Sequence, residues 1–540
     1  MILKRTRKYP VGIQTFSEII RNNYVYVDKT DLVWQMADLA KFIFLSRPRR
    51  FGKSLLSSTL HSYFAGEREL FEGLKIMEFE KEWKSYPVIH LDLSEAKGQT
   101  SVEALRQRLA LLLEPYVEQY GKSSKESTPG AIISGLINRI SKQTGQQVVV
   151  IIDEYDAPLL EVLHERQLLE DMRQAMQEFF VPLKANERHI KFCFITGITK
   201  FSQLSIFSTI NNLANITMLP EFSSICGITE HELITTLRPD IELLAQRNET
   251  TYEEIHAKLK LQYDGYHFSK QLVEVYNPFS LMKAFLFGEI DNYWFDSGTP
   301  SFLIRQMQHF HTDITSLEGM SVPATAFDKP TEAMEDSLPL LYQSGYLTIK
   351  DYDRESAIYD LAFPNQEVRV GYTQGLLPVY IGLNPSGVQT GFALKFWRAL
   401  KQGNAEQAML DMQSFLAGIP YVEGFKRKLE IVSNAEGFYE YTFYLIFSML
   451  NVYVRTQVKC AGGRADVIVW MPDTIYVLEL KVNGTAAEAL RQINDKGYAR
   501  PYEQDERRIV KIGISFSMES KTTEDWIIIK DHDYLGKALG

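Results

Sequence analysis

Cysteine is scarce in this 540-residue chain, which contains three cysteines, Cys193, Cys226 and Cys460. They are far apart in the sequence and form no C-x-x-C pair, so neither a zinc site nor a disulfide framework is supported. We expect them to be small, buried hydrophobic side chains.

Long apolar runs are also missing. No stretch approaches the roughly 20 residues of a membrane span, and residues 1–10 are basic without the apolar core of a secretion signal. Hydrophobic residues make up 45% of the chain and charged residues 23%, which excludes disordered and low-complexity classes. We therefore expect a cytoplasmic globular protein without a membrane partner.

An excess of positive charge is absent as well, because the formal net charge is −10. This value argues against a protein that coats nucleic acid without specificity, although local basic patches would be compatible with it. Charge alone leaves the partner open.

The most informative motif lies in a predicted strand-to-helix loop. Residues 42–45 predict a buried strand, and a helix is expected from Leu55 onward. Between them, Gly52 allows backbone amides to approach phosphate, Lys53 offers an ammonium for the β- and γ-phosphates, and the hydroxyl of Ser54 can bind Mg²⁺. The following helix would direct the positive end of its dipole to the same place.

One glycine of the general pattern G-x-x-x-x-G-K-[ST] is missing, because Arg47 fills its position. We expect Arg49, Arg50 and Phe51 to line the nucleotide site together with the tripeptide that follows them. The three arginines could each serve the phosphates, a neighbouring subunit or the packing of the loop itself.

A second element supports nucleotide binding. Residues 148–156, VVVIIDEYD, predict a buried parallel strand that delivers Asp153 and Glu154 to its carboxyl end. We expect Asp153 to hold Mg²⁺ through water and Glu154 to orient or deprotonate the attacking water. The alternative is a core strand that simply ends in a polar turn. Residues 190–198 predict a further strand; Thr196 near its end and Lys200 in the loop after it could sense the γ-phosphate, although a loop lysine is often only solvated.

Three N-terminal segments together resemble a known family. They are GIQ at residues 12–14 with Phe16, YVDKT at residues 26–30, and SRPRRFGKS at residues 46–54. The same segments are found in bacterial AAA-ATPase-like proteins, which also have arginine in place of the first glycine. The resemblance implies an ATP-binding domain with a P-loop NTPase-like fold, and it does not by itself imply hydrolysis.

Apolar strand patterns alternate with amphipathic helices in this part of the chain, which predicts a parallel sheet flanked by helices. A Tyr/Val-rich strand is expected just before residues 28–30. From residue 261 the pattern becomes helical and aromatic, and we expect a helical lid and middle region with a winged-helix-like unit near residues 338–365.

A second candidate site lies near the C-terminus. Two strand-like runs, residues 464–471 and 474–481, flank a Pro-Asp turn signal. Pairing them as an antiparallel hairpin places Asp466 opposite Glu479, with Lys481 on the same face as Glu479. Opposed carboxylates destabilise a sheet unless something positive lies between them. We therefore expect a Mg²⁺ or Mn²⁺ site that activates water for attack on a phosphodiester.

Neighbouring residues extend this constellation. Glu436, at the start of a predicted helix, could add a carboxylate, with Glu440 as the alternative. Thr485 and Glu488 form a capping box that opens a helix carrying Gln492. The alternative is an ordinary hairpin with charges on its exposed face.

The order of these residues resembles the PD-(D/E)XK nuclease superfamily, although Arg464-Ala465 stands where the superfamily has proline. The resemblance implies an α/β restriction-endonuclease-like domain. It implies catalytic and metal-binding roles for these positions: Glu436, Asp466, Glu479, Lys481 and Gln492.

We thus expect an α/β protein with an ATPase-like domain at 1–260, a helical middle domain at 261–420 and a nuclease-like domain at 421–540. The two resemblances imply an ATP-driven enzyme that cuts DNA with Mg²⁺, or Mn²⁺ at the nuclease site. The alternative is a nucleotide-switched interaction module whose nuclease fold only grips nucleic acid or protein. DNA versus RNA and the oligomeric state stay open.

Overall fold

The computed structural model describes residues 7–200, 213–294, 301–310, 312, 317, 319–329, 334–381, 387–417, 453–460, 463–471, 473–517 and 522–530. The chain divides into two compact units. Unit 1 contains Met1–Phe310 and Gly319–Glu367, and unit 2 contains His311–Glu318 and Val368–Gly540. The division of the chain into three domains at residues 260 and 420 stays a prediction.

Unit 1 alternates helices and strands. Its helices are α1 (Phe16–Arg21), α2 (Thr30–Leu39), α3 (Lys53–Phe64), α4 (Ile76–Phe79), α5 (Val102–Tyr120), α6 (Pro129–Thr144), α7 (Ala157–Leu160), α8 (Arg166–Ala185), α9 (Glu230–Thr236), α10 (Arg238–Arg247), α11 (Tyr252–Tyr263), α12 (Pro278–Phe287), α13 (Ser301–His309), α14 (Ala324–Phe327) and α15 (Leu338–Gln343). Its strands are β1 (Phe42–Ser46), β2 (Val88–Asp92), β3 (Val148–Asp153), β4 (Ile190–Gly197), β5 (Ala214–Asn215), β6 (Ile228–Thr229), β7 (Val275–Tyr276), β8 (Met320–Pro323), β9 (Thr348–Asp353) and β10 (Ile358–Ala362).

The central sheet of unit 1 has five parallel strands in the order β2-β3-β4-β1-β5. Both β1 and β3 are buried along their whole length, as expected from their continuous apolar sequences. Because the strands run in one direction, the residues that follow β1 and those that end β3 lie at the same edge of the sheet. The predicted parallel α/β sheet is confirmed.

Helices α5, α6 and α8 pack in the main core of unit 1 with the apolar strands. Leu105, Leu109 and Leu113 recur every four residues along α5, and each is at most 1% exposed. This spacing places them on one face of the helix, and burying such a side chain contributes about 1.5–3 kcal/mol. Apolar periodicity therefore explains how these helices attach to the sheet.

The Tyr/Val-rich strand predicted after α1 is wrong. Tyr24 forms an isolated bridge with Lys8, and the Val25 amide donates to the Lys8 carbonyl at 2.8 Å. The carboxylate of Asp28 then turns the chain into α2 by accepting hydrogen bonds from the amide and hydroxyl of Thr30. Strand propensity acts through packing on neighbouring strands, and this segment pairs at a single position.

The helical character predicted for the middle of the chain, residues 261–420, is confirmed, and in unit 1 it comprises α12 to α15. Within it, β9 and β10 form a hairpin, and β8 extends this hairpin to a three-stranded antiparallel sheet. Residues 338–365, predicted as a winged-helix-like unit, contain α15, β9 and β10, and the winged-helix-like fold stays a prediction.

Unit 2 contains a mixed five-stranded sheet in the order β11-β12-β13-β14-β15. Its strands are β11 (Tyr453–Cys460), β12 (Gly463–Trp470), β13 (Thr474–Val482), β14 (Arg508–Phe516) and β15 (Thr523–Lys530), and its helices are α16 (Gln366–Ile381), which begins at the boundary with unit 1, α17 (Gly387–Lys401), α18 (Ala405–Ala417) and α19 (Ala486–Lys496). The β13 and β14 strands are parallel, and the other neighbours are antiparallel. A parallel pair needs a crossover, which α19 supplies. Within the described part of the chain, no helix has the length and apolar character needed to cross a membrane.

Candidate functional site

The candidate phosphate loop connects β1 to α3. Gly52 caps α3 with a φ of 92°, a left-handed conformation that glycine adopts without strain. The first turn of α3 contains no acidic residue, so the positive end of the helix dipole is not offset within that turn. These features give the loop the geometry of an anion-binding helix terminus.

Lys53 is buried at the start of α3, with 4% exposure. Its ammonium donates to the Pro48 carbonyl at 3.2 Å and lies 3.5 Å from Oε1 of Glu154. The buried ammonium is therefore bound by a loop carbonyl and a carboxylate. Phosphate oxygens are equally good acceptors for it.

The predicted Mg²⁺ ligands are adjacent in the fold. Asp153 is 2% exposed, and its carboxylate accepts hydrogen bonds from the Ser54 side chain and, at 2.9 Å, from the Glu154 amide. Burial raises the pKa of Asp153 to about 6, while Ser54 and Lys53 act in the opposite direction. A hydroxyl next to a carboxylate is a donor set that fits Mg²⁺, which usually retains several waters.

Glu154 is held in a strained conformation, with a φ of 50°. Such a backbone costs about 1–3 kcal/mol in a non-glycine residue and persists where the surroundings impose it. The next turn is fixed by buried Asp156, whose carboxylate accepts hydrogen bonds from the Thr199 amide and hydroxyl, both at 2.6 Å. Burial raises the pKa of Asp156, and Glu154 adds to this effect. Asp156 was missed in the sequence because its partner Thr199 lies beyond the end of β4, 43 residues along the chain.

The two candidate γ-phosphate sensors have partners in the structure. Thr196 is buried, and its hydroxyl donates to the Leu45 carbonyl at 2.7 Å, which ties β4 to β1. The Lys200 ammonium lies 2.8 Å from Oδ2 of Asp328. A sensor role for either residue stays a prediction.

Arg47 serves the packing of the loop, one of the roles that the sequence left open for the three arginines. It is 1% exposed, and its guanidinium donates to the carbonyls of Ser46, Thr217 and Phe222. The guanidinium carbon lies 4.3 Å from the centre of the Phe268 ring. An arginine in place of glycine thus anchors the loop to residues far along the chain.

The next loop residues also contact the middle region. The Arg49 carbonyl accepts a hydrogen bond from the indole of Trp294 at 3.3 Å. The Arg50 guanidinium lies 3.9 Å from the centre of the Phe279 ring, and Phe51 is buried among aromatic rings. Aromatic residues of the middle region therefore hold the loop in place.

Two cavities adjoin the loop. One, of about 110 Å³, borders Gly52 and is lined mainly by apolar side chains, among them Val25, Leu56, Ile228 and Met282. The other, of about 340 Å³, is lined by polar residues and borders the predicted Mg²⁺ ligands Ser54 and Asp153. It is lined by Gln14, Thr15, Ser17, Ser54, Ser58, His61, Ser62, Glu67, His90, Asp92 and Asp153. Burial, helped by His61, lowers the pKa of His90 to about 4, so its imidazole is neutral at pH 7.

The C-terminal hairpin has the predicted register. β12 and β13 pair with Val467 opposite Leu478, which makes Asp466 and Glu479 the next opposed positions. There, Oδ2 of Asp466 accepts from the Leu480 amide at 2.8 Å, and Oε2 of Glu479 accepts from the Asp466 amide at 3.4 Å. The two carboxylates therefore meet at the end of the ladder.

Lys481 lies beside this carboxylate pair. Its ammonium is 3.5 Å from Oε1 of Glu479, whose side chain is fully buried. Burial raises the pKa of Glu479 to about 8, with Asp466 adding to the effect and Lys481 opposing it. Two opposed carboxylates, one with a raised pKa, form a donor set that fits a hard divalent cation.

The third predicted carboxylate cannot be placed, because Glu436 and its alternative Glu440 lie outside the described residues. Among the residues that are described, no group of three or more His, Cys, Asp or Glu side chains is arranged to hold a metal ion. The three-carboxylate metal set stays a prediction.

Gln492 lies on α19, whose capping box between Thr485 and Glu488 is formed as predicted. The Gln492 amide donates to the hydroxyl of buried Tyr498 at 3.2 Å. The helix packs directly on β14 at Gly513, where an added Cβ would lie 2.4 Å from a backbone oxygen of α19. The Tyr498 contact was missed in the sequence because it depends on the turn after α19.

The parallel sheet with its phosphate loop and the mixed sheet with its carboxylate pair define a protein with an ATPase-like part and a nuclease-like part. Residues 10–207 match the family model described as "Predicted AAA-ATPase", and residues 434–526 match that of the PD-(D/E)XK nuclease superfamily. The chain is 32% identical over 535 residues to the "Uncharacterized protein in vnfD 5'region" of Azotobacter chroococcum mcd 1, covering 97% of this chain and 99% of the relative. The chain belongs to this family, which joins an AAA-ATPase-like domain to a PD-(D/E)XK nuclease domain, as the sequence motifs predicted.

Proposed function

We propose that unit 1 binds and hydrolyses ATP at the loop of residues 47–54, and that unit 2 cleaves DNA with a divalent cation at Asp466 and Glu479. The observation that carries the proposal is that the fold brings residues of separate strands together in each unit, after β1 and at the end of β3 in unit 1, and at opposed positions of β12 and β13 in unit 2. Residues that are far apart in the sequence need the fold to bring them together.

In the ATP site, Lys53 and the loop amides bind the β- and γ-phosphates, and the apolar cavity beside Gly52 receives the base. Ser54 and Asp153 hold Mg²⁺, which when bound would neutralise charge that develops on the phosphates. Glu154, released from Lys53, accepts the proton of the attacking water. Nucleotide entry would thus exchange the lysine's present partners for phosphate.

In the nuclease site, Asp466 and Glu479 hold the cation, which when bound would activate water as a Lewis acid. The Lys481 ammonium stabilises negative charge on the phosphodiester as it is attacked. Gln492, held by Tyr498, orients water or substrate at the edge of the site. Hydrogen bonds and ion pairs with other protein groups hold these side chains in place before substrate binds.

The test of the nuclease part uses supercoiled plasmid with Mg²⁺ or Mn²⁺, with and without ATP. We expect cation-dependent nicking by the wild type and its loss in Lys481→Ala, since the ammonium acts on the transition state. Lys530→Ala, an exposed lysine of the same unit, is the matched control. A parallel incubation with RNA tests the substrate class.

The test of the ATPase part compares the wild type with Glu154→Gln. We expect the variant to retain ATP but to release no phosphate, because the base is lost and the Mg²⁺ ligands remain. ATP binding without turnover in the wild type, together with an intact plasmid, would instead identify a nucleotide-switched interaction module.

A further inference from the structure

Arg47 is an unusual residue to find beneath a phosphate loop, because its charge is buried and its partners are neutral. The guanidinium donates to the carbonyls of Ser46 at 2.9 Å, Thr217 at 2.8 Å and Phe222 at 3.0 Å. The remaining contact is the face of Phe268. Carbonyls and a ring satisfy hydrogen bonds and attract a cation, but they do not neutralise it.

The other two buried cations of this region each have a carboxylate. Lys53 lies 3.5 Å from Glu154, and Lys29 lies 2.6 Å from Glu232. Among the described residues no such ion pair is formed by Arg47, and its buried Nε has no hydrogen-bond partner. Burial lowers the pKa of Arg47 to about 10, which leaves the group charged at pH 7 while reflecting the cost of its desolvation.

The charge of Arg47 acts close to the loop. Burial raises the pKa of the Cys226 thiol, and three cations oppose this effect, with Arg47 first, then Lys53 and Lys29. Arg47 is also linked to Lys53 through the backbone, because the carbonyl that accepts from the Lys53 ammonium belongs to Pro48, the residue after Arg47. Three buried cations therefore lie around the loop. Of these, Arg47 has no carboxylate counter-ion among the described residues.

We propose that Arg47 is a positioning residue for nucleotide phosphates, whose buried charge is offset by the phosphate anion while its hydrogen bonds hold the loop in shape. The proposal rests on the proposed binding of ATP at this loop. The guanidinium does not touch the nucleotide, and it acts through the field that it creates and through the loop backbone. Its contribution should therefore grow with the number of phosphates, from AMP to ATP.

The experiment compares Arg47→Lys, which keeps the charge, with Arg47→Gln, which keeps hydrogen bonding but loses the charge. Binding of ATP, AMP and inorganic tripolyphosphate is measured by calorimetry, alongside thermal melts. We expect Arg47→Gln to bind ATP and tripolyphosphate at least about tenfold more weakly than Arg47→Lys, with a smaller difference for AMP. The exposed Arg21, changed in the same two ways, is the matched control.

The outcomes separate this inference from the proposed function. If the wild type binds no ATP, the proposed function fails. If the wild type binds ATP and the two Arg47 variants bind it equally, Arg47 is only structural and the inference is overturned. Should Arg47→Gln not fold, Arg47→Lys decides alone: affinity for ATP within about threefold of the wild type supports the role of charge, and a loss beyond about tenfold overturns it.

Discussion

At the scale of single residues, the ion pair between Lys53 and Glu154 joins the two charged groups of the candidate ATP site. The two groups lie 3.5 Å apart, and the lysine also donates to Pro48. In the proposed function, an ATP phosphate replaces both partners and gains a charge-assisted bond in a buried site. The proposed binding of ATP therefore requires Lys53 to exchange its contacts with Glu154 and Pro48 for contacts with phosphate.

Replacing Lys53 with alanine removes that charge-assisted bond. We expect Lys53→Ala to weaken ATP binding by roughly 10- to 100-fold, since hydrogen bonds to charged groups contribute about 1.5–3 kcal/mol. The measurement is calorimetric titration with ATP. Lys75→Ala, at a lysine whose side chain is 49% exposed, should bind ATP as the wild type does. Equal affinity in Lys53→Ala and the wild type would refute the assignment of the loop.

Glu479 makes stability depend on pH. Its pKa is about 8 in the folded protein, against an ordinary value of 4.5. Between those values the folded state holds a proton that the unfolded state has lost, so the free energy of unfolding decreases as pH rises. We expect the cation-free protein to melt several degrees lower at about pH 8.5 than at about pH 5.5, at roughly 2–4 °C per kcal/mol.

The variant Glu479→Gln should lose much of this pH slope and should melt no lower than the wild type at the higher pH, because it removes a buried like-charge pair. Glu503→Gln, at an exposed glutamate of the same unit, should keep the slope. An unchanged slope in Glu479→Gln, or a melt several degrees lower at both pH values, would identify a purely structural carboxylate.

At the scale of elements, the close packing of α19 on β14 fixes the place of Gln492 in the candidate nuclease site. An alanine Cβ at Gly513 would lie 2.4 Å from the Ala486 carbonyl oxygen and 2.6 Å from the Leu490 amide. Because both are backbone atoms, we expect Gly513→Ala to push α19 away from the sheet. The shift should displace Gln492, lower stability by about 1–3 kcal/mol and strongly reduce plasmid cleavage.

Ile512→Val is the matched control for this helix shift, since it removes volume from the same strand and adds none. It should cost about 0.5–1.5 kcal/mol and keep cleavage. Circular dichroism melts and cleavage assays of both variants make the comparison. Cleavage at the wild-type level in a folded Gly513→Ala would show that the position of α19 is unimportant.

Local patterns predicted some elements well. The register of β12 and β13 followed from a turn signal and alternation, and the start of α19 followed from its capping box. The Tyr/Val-rich segment before α2 was predicted incorrectly, because a strand needs a neighbour that the segment itself does not encode.

The contacts of the phosphate loop could not be predicted from local sequence. Arg47 and its acceptor Thr217 are 170 residues apart, and Trp294 is 245 residues from Arg49. Such pairs depend on how the elements pack, and no periodicity or spacing encodes them. The motif predicted which residues belong to the loop, and the fold decided what each of them contacts.

At the scale of the whole molecule, each compact unit contains one candidate site. We expect ATP to stabilise the protein through unit 1 and Mn²⁺ to stabilise it through unit 2, each by about 2.7 kcal/mol at a hundredfold excess over its dissociation constant. Lys53→Ala should lose the thermal shift caused by ATP and keep that caused by Mn²⁺, and Glu479→Gln should do the reverse. Loss of both shifts in either variant would contradict one ligand per unit.

The left-handed backbone of Glu154 has a consequence for how relatives of this protein would evolve. Glycine or asparagine tolerates a φ of this kind, so, with Glu154 as the proposed catalytic base, a lineage without hydrolysis would gain stability by replacing the glutamate. A lineage that keeps the acid accepts a strain of about 1–3 kcal/mol in every copy of the protein. Under the proposed function, the residue at this single position should therefore distinguish relatives that hydrolyse nucleotide from those that only bind it.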